Sequence, residues 1–155
     1  LVLVPVNSVT TATYYSGRPH AIISGKEIEA LRFLSEQPDG IVLTYPYDDK
    51  LKQKLSEPWP LLAYDSTAYV SALSGKRTSI EDERQNEILR TDYKQRLISS
   101  KDFFQNTSSQ KTKFLQGNKI NYIYLPKIYN VYLDEKIVSV KTIFENEEVR
   151  IYQRT

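Results

Sequence analysis

Cysteine and methionine are both missing from this 155-residue sequence, and histidine and tryptophan occur once each. Without cysteine there is no disulfide, no thiol nucleophile and no thiolate metal site, and thiol content points to neither an oxidising nor a reducing compartment. The lone His20, beside Pro19, leaves no His-rich metal site and no choice of imidazole bases. Only five glycines occur. None falls in a G-x-G-x-x-G fingerprint, a Walker loop or a G-x-S-x-G elbow, so the dinucleotide, nucleotide and acyl-transfer signatures are absent. A dominant charge is lacking as well: 21 basic and 19 acidic side chains leave a net +2, which supplies no field to recruit nucleic acid or other polyanions. No stretch approaches the roughly 20 apolar residues of a membrane span, and no signal peptide is visible. The sequence has no initiator and opens on the apolar run Leu1–Val4, so it reads as a piece of a longer polypeptide whose targeting elements lie elsewhere.

What is present describes a globular protein. Hydrophobic residues make up 40% and charged residues 26%, too apolar for disorder, and the length suits a single domain spanning 1–155. Twelve tyrosines stand against one tryptophan and five phenylalanines. Many lie in strand-like stretches, where the ring packs on a half-buried sheet face and the hydroxyl reaches water. Sheet packing accounts for them more simply than stacking on carbohydrate.

Along the chain, Leu1 to Thr13 with Pro5 suits an edge strand or a connector, and Tyr14 to Pro19 a turn. Ser24 and Glu27 have the spacing of a capping box, and Ile28, Ala30, Leu31 and Leu34 continue it into a helix over 25–37. The run 41–45 has the β-branched, apolar character of a buried parallel strand. A short amphipathic helix is predicted over 48–55, a short strand over 61–64, and a helical turn through Ala68 to Leu73 capped by Asp65 or Ser66 and closed by Gly75. Residues 78–90 read as a solvated loop holding one helical turn. A helix over 93–104 with Tyr93, Leu97, Ile98 and Phe104 on its apolar stripe ends at Asn106–Ser109, and another carries Phe114 and Leu115. A strand over 120–125 and a terminal hairpin, 137–144 with 149–152, complete the sequence. Helix-to-strand order of this kind predicts a Rossmann-like α/β sandwich with a mixed sheet and a C-terminal β-hairpin.

Three groupings carry candidate chemistry. Tyr45, Pro46, Tyr47, Asp48 and Asp49 follow the best central strand, and ligands of open α/β sheets gather at strand carboxyl ends. The paired carboxylates there could hold a divalent cation and through it a phosphate, or they could be the acidic first turn of the next helix. Glu81 and Glu83 would share one face of an extended segment and are weaker metal candidates. Trp59, Tyr64 and Asp65 combine aromatic and carboxylate groups as a sugar-binding surface does, although a tryptophan between prolines also serves as a core plug.

The order of E-I-E-A-L-R-F-L over 27–34, the G-I-V-L-T strand, the segment Tyr69 to Arg77, the acidic Glu81–Glu83, the stretches Asp92 to Arg96 and Phe103–Phe104, the Y-I-Y-L of 122–125 and the closing Ile151–Tyr152 resembles one known arrangement. It is similar to the soluble tail of bacterial multi-spanning membrane proteins of the lipid-linked-sugar-dependent glycosyltransferase type. The resemblance implies an α/β domain on the extracytoplasmic face of the cell membrane, after the last span, with the membrane portion of its own parent chain as partner. It also implies that the catalytic carboxylate belongs to a membrane-domain loop outside this sequence, so no residue here is assigned a catalytic role and no cofactor is expected. The resulting expectation is a non-catalytic accessory domain that binds a glycan, a lipid-linked sugar or a partner, using Tyr45, Tyr47, Asp48, Asp49, Trp59, Tyr64 and Asp65. The rivals are an independent metal-dependent sugar- or phosphoryl-transfer enzyme and a purely structural assembly domain.

Overall fold

The computed structural model describes residues 21–105 and 110–155. The expectations for Leu1 to Thr13, Tyr14 to Pro19, His20 and Asn106–Ser109 lie outside the described residues.

Five strands form a mixed sheet: β2 (Ile41–Thr44), β4 (Arg77–Thr78), β5 (Ile120–Pro126), β6 (Val140–Glu145) and β7 (Val149–Arg154), in the spatial order β4, β2, β5, β7, β6. The β4, β2 and β5 strands run parallel, whereas β7 pairs antiparallel with β5 and with β6, making the C-terminal hairpin. A two-stranded parallel piece, β1 (Ala21–Ile22) with β3 (Trp59–Pro60), stands apart. The helices are α1 (Gly25–Ser35), α2 (Asp49–Lys52), α3 (Tyr69–Ser74), α4 (Glu83–Ile88), α5 (Lys94–Gln105), α6 (Lys111–Gly117) and α7 (Glu135–Val138).

The two-residue period of the strands divides the core between the two faces of the sheet. Val42, Tyr122, Tyr124, Val149 and Ile151 pack on one face against Ala30, Leu31 and Leu34 of α1 and Val70 of α3. Leu43, Ile123, Leu125 and Tyr152 pack on the other against Phe103 and Phe104 of α5, Leu115 of α6 and Val138 of α7. The sheet is therefore sandwiched between helices, and its central strands are apolar on both sides, as buried parallel strands require.

The capping box forms as its spacing predicts. The Ser24 hydroxyl accepts from the Glu27 backbone N–H at 3.0 Å, and the Ser24 N–H in turn serves the Glu27 carboxylate. The far end of α1 is held by Lys76, whose buried ammonium donates to the carbonyls of Ser35 at 3.2 Å and Gln37 at 2.6 Å. Cations favour that pole of a helix. Gly75 closes α3 in the left-handed region, at φ 66°.

Several expectations are corrected. Residues 61–63 form a 3₁₀ turn in place of a strand, because the pairing partner of β1 is Trp59–Pro60. The 78–90 stretch is less loop-like than its charge suggests: Arg77–Thr78 adds to the edge of β2, Ile80 is buried, and Glu83–Ile88 is helical. On α5 the buried residues are Ser100, Phe103 and Phe104, while Ile98 is 54% exposed. The hairpin begins at Val140, because Ile137 and Val138 belong to α7, which Asp134 caps.

Candidate functional site

The chain leaves β2 toward β4 and leaves β5 toward β6, so the connections at the carboxyl ends of these two adjacent parallel strands diverge. Divergence of this kind opens a crevice, the common ligand position of open α/β sheets. A crevice of about 40 Å³ lies there, lined by Thr44 and Tyr124 from the two strands and by Tyr45, Tyr47, Tyr64 and Tyr129 among others. Tyr45, just past β2, stacks on Tyr129, just past β5, with ring centroids 3.9 Å apart and planes 18° from parallel.

The acidic part of the lining comes from Asp65, Glu81, Asp82 and Glu83, and among the described residues no lysine, arginine or histidine lines the crevice. Three of these four carboxylates have structural duties. Glu81 accepts from the backbone N–H groups of Val70 and Ser71, each at 3.0 Å, and so caps α3 from a distance. That role was expected of Asp65 or Ser66. Asp82 sits at φ 50° and accepts from the Gln85 N–H at 2.9 Å, capping α4. Asp65 accepts from Arg84 Nε at 2.8 Å. Glu83 differs: its Oε1 is buried and has no well-formed hydrogen-bond partner, and burial pushes its carboxyl above the usual range, with nearby Lys101 and the Tyr47 backbone N–H opposing the shift.

The second orphan in the crevice is the Tyr124 hydroxyl. Tyr124 is fully buried. Its hydroxyl approaches the Glu27 carboxylate and the Tyr69 hydroxyl closely enough to interact with both, but in neither case with full hydrogen-bond geometry. Tyr69 does donate to Glu27 Oε1, at 3.4 Å. Glu27 is itself only 4% exposed, and burial raises its carboxyl, with the charge of Glu148 adding to the effect. Desolvation disfavours the ionised form in all these groups, so the Tyr69, Tyr124 and Tyr129 hydroxyls stay protonated. Tyr47 is pushed up to about 12 by burial and by its hydrogen bond to Asp49.

Beside the crevice is a second cavity, of about 330 Å³, with Ile22, Pro60, Leu62, Pro126 and Ile128 among its walls and Ser24, Glu27 and Glu148 at its polar side. Leu62 and Pro126 line both spaces, so the two adjoin.

The sequence candidates separate in the structure. Tyr45, Tyr47, Tyr64 and Asp65 come together in the crevice, as does Glu83. Asp48 instead accepts from Lys50 N–H at 2.9 Å and Leu51 N–H at 3.3 Å as the cap of α2, and the exposed Asp49 takes the Tyr47 hydroxyl at 3.1 Å. Trp59 packs edge-on to Tyr64, centroids 5.9 Å apart, with the Lys52 ammonium 4.7 Å above its ring. Among the described residues no group of three or more His, Cys, Asp or Glu is arranged to hold a metal ion, and no helix is long and apolar enough to cross a membrane. Glu27, Tyr69, Tyr124 and Tyr129 carry no individual signal in the sequence, since Glu27 reads as a capping box and Tyr124 as one more strand tyrosine. Comparison with protein-family models, with curated proteins and with solved structures gives no match.

Proposed function

We propose that this chain is a non-catalytic binding module that holds a glycan across the strand-end crevice and the cavity adjoining it, working on the extracytoplasmic side of a membrane-embedded, glycosyltransferase-like parent protein. The observation that carries the reading is the coincidence of two unpartnered buried polar atoms, Glu83 Oε1 and the Tyr124 hydroxyl, in one tyrosine-walled crevice. Buried polar groups are nearly always paired, so two orphans at the fold's natural ligand position call for an external partner. Carboxylate and hydroxyl oxygens suit the polar groups of a sugar, and the apolar walls of the adjoining cavity suit the C–H side of its ring. Among the described residues the crevice lining has no cation to receive a phosphate, which favours the saccharide part of a ligand over a nucleotide or a pyrophosphate. The transfer-enzyme alternative loses support because Asp48 organises the start of α2. The motif order set out above supports the membrane setting.

Thermal unfolding with a panel of oligosaccharides tests the reading. A ligand at a hundred times its Kd adds about 2.7 kcal/mol, which is roughly 5–10 °C in a chain of this size. The shift should vanish when Tyr45 and Tyr64 are both replaced by Ala. An unchanged midpoint across the panel at millimolar concentration would overturn the proposal.

A further inference from the structure

Resting on that reading, we propose that the site takes an amino sugar, with its free, protonated amino group in the crevice and its ring in the adjoining apolar cavity. The two spaces differ in size and chemistry as such a ligand requires. At about 40 Å³ the crevice admits a group of water-like dimensions and no ring, whereas the neighbouring 330 Å³ falls in the range of small-ligand pockets, which begins at about 300 Å³.

Charge separates an ammonium group from a hydroxyl. Among the described residues, four carboxylates and no basic side chain line the crevice. Arg84 engages Asp65 alone, and the orphaned Glu83 oxygen faces no cation at hydrogen-bonding distance. An ammonium group has three donors and no acceptor. It therefore suits a space whose unpartnered atoms are a carboxylate oxygen and a phenol oxygen, one of them on a side chain that is 0% exposed. The stacked pair Tyr45–Tyr129 adds aromatic surface of the kind that attracts cations. A metal ion fits less well, because no three acidic groups converge among the described residues. In the larger space Ile22, Pro60 and Leu62 offer apolar surface to the ring; on its polar side the Ser24 hydroxyl already donates to Glu148 and accepts from the Glu27 N–H, and Lys127 and Glu147 complete the lining.

Calorimetric titration of the 155-residue chain with three matched β-1,4-linked tetrasaccharides decides the matter: one of glucosamine, one of N-acetylglucosamine and one of glucose. The glucosamine tetramer should bind at least about tenfold more tightly than the other two, since acetylation removes the charge and leaves the ring. Glu83→Gln should abolish most of that preference, weakening the glucosamine tetramer by a larger factor than either neutral tetramer. Tyr124→Phe, which leaves the fold's apolar contacts in place, should narrow the preference in the same direction. Equal binding of all three tetramers would overturn the amine inference and leave the glycan reading standing. Binding of none would overturn the glycan reading itself. A glucosamine preference that survives both substitutions would place the amine elsewhere and overturn the inference.

Discussion

Two tyrosines on the same strand and the same face should respond in opposite directions to loss of their hydroxyls. Tyr122 and Tyr124 both belong to the α1-side core, at 2% and 0% exposure. The Tyr122 hydroxyl donates to the Pro38 carbonyl at 3.0 Å, whereas that of Tyr124 has no well-formed partner. A typical intramolecular hydrogen bond contributes a net ~1 kcal/mol, and a buried, unsatisfied polar group costs about 1–3 kcal/mol. Tyr122→Phe should therefore destabilise by about 1 kcal/mol. Tyr124→Phe should stabilise by a similar amount, at the low end of the desolvation range because Tyr69 and Glu27 are close enough to recover part of the cost. In a chain of this length each kcal/mol moves Tm by roughly 2–4 °C, so the variants should melt several degrees apart on either side of the parent. Circular dichroism melts with urea titrations measure both. If Tyr124→Phe lowers stability as much as Tyr122→Phe does, the Tyr124 hydroxyl is satisfied in solution, and the argument that the crevice awaits a ligand fails. If stability rises while saccharide binding falls, the residue shows the trade expected where a binding site is held in a strained, unsatisfied state.

Other consequences can be checked on the same preparations. Gly40→Ala would place a Cβ 2.7 Å from Asn121 Cβ and 2.8 Å from the Tyr122 ring, at the point where Ile41 N–H donates to Asn121 Oδ1. Overpacking of this kind costs about 1–3 kcal/mol, and an unchanged urea midpoint would refute the close approach of β2 to β5. Lys76→Met keeps the buried stem but removes the ammonium that closes α1, so a loss of about 2 kcal/mol is expected. Denaturation indistinguishable from the parent would refute that cap. Hydrogen bonds from Arg150 and then Lys127 hold the Glu145 carboxyl down to about 2, below its ordinary value of 4.5. Its contribution is thus present above pH 4.5 and lost as pH falls toward 2. Urea midpoints of Glu145→Gln should vary less across that interval than those of the parent, and parallel profiles would exclude the linkage. Glu27 should run the other way. Its raised carboxyl contributes stability below pH 4.5 that is lost as pH rises through its folded value, so Glu27→Gln should flatten the profile on the near-neutral side.

The legible parts of the fold are those fixed by local chemistry or by long apolar runs. The capping box announces α1, the continuous run Ile41–Thr44 announces a strand covered on both faces, and the alternation after Val140 announces the hairpin. β4 was not legible, because two residues, Arg77 and Thr78, carry no period. Their strand character comes from hydrogen bonding to the edge of β2, a tertiary effect that overrides propensity. The buried face of α5 is likewise chosen by what it meets. Phe103 and Phe104 reach Phe114 and Tyr45, and Ile98, equally apolar, faces outward.

For the site, the position was more legible than the membership. A strand carboxyl end could be inferred from the run that precedes Tyr45, and Tyr45, Tyr47, Tyr64 and Asp65 do meet there. Acidic pairs are poor guides, because local rules account for most of them: Asp48, Asp82 and Asp134 each begin a short helix, and Glu81 begins another across a sequence gap of eleven residues. Helix starts absorb carboxylates wherever four backbone donors need acceptors. A carboxylate is therefore informative about ligands only after its structural partners have been counted, and that count needs coordinates. By that count, of the carboxylates weighed for the site Glu83 alone retains a buried oxygen with nothing to accept from. Of the two tyrosines that β5 turns toward α1, Tyr124 is the one without a donor's partner, because Tyr122 reaches the loop before β2 and Tyr124 reaches the crevice. The strand's direction, more than the residue type, decides which hydroxyl is left for a ligand.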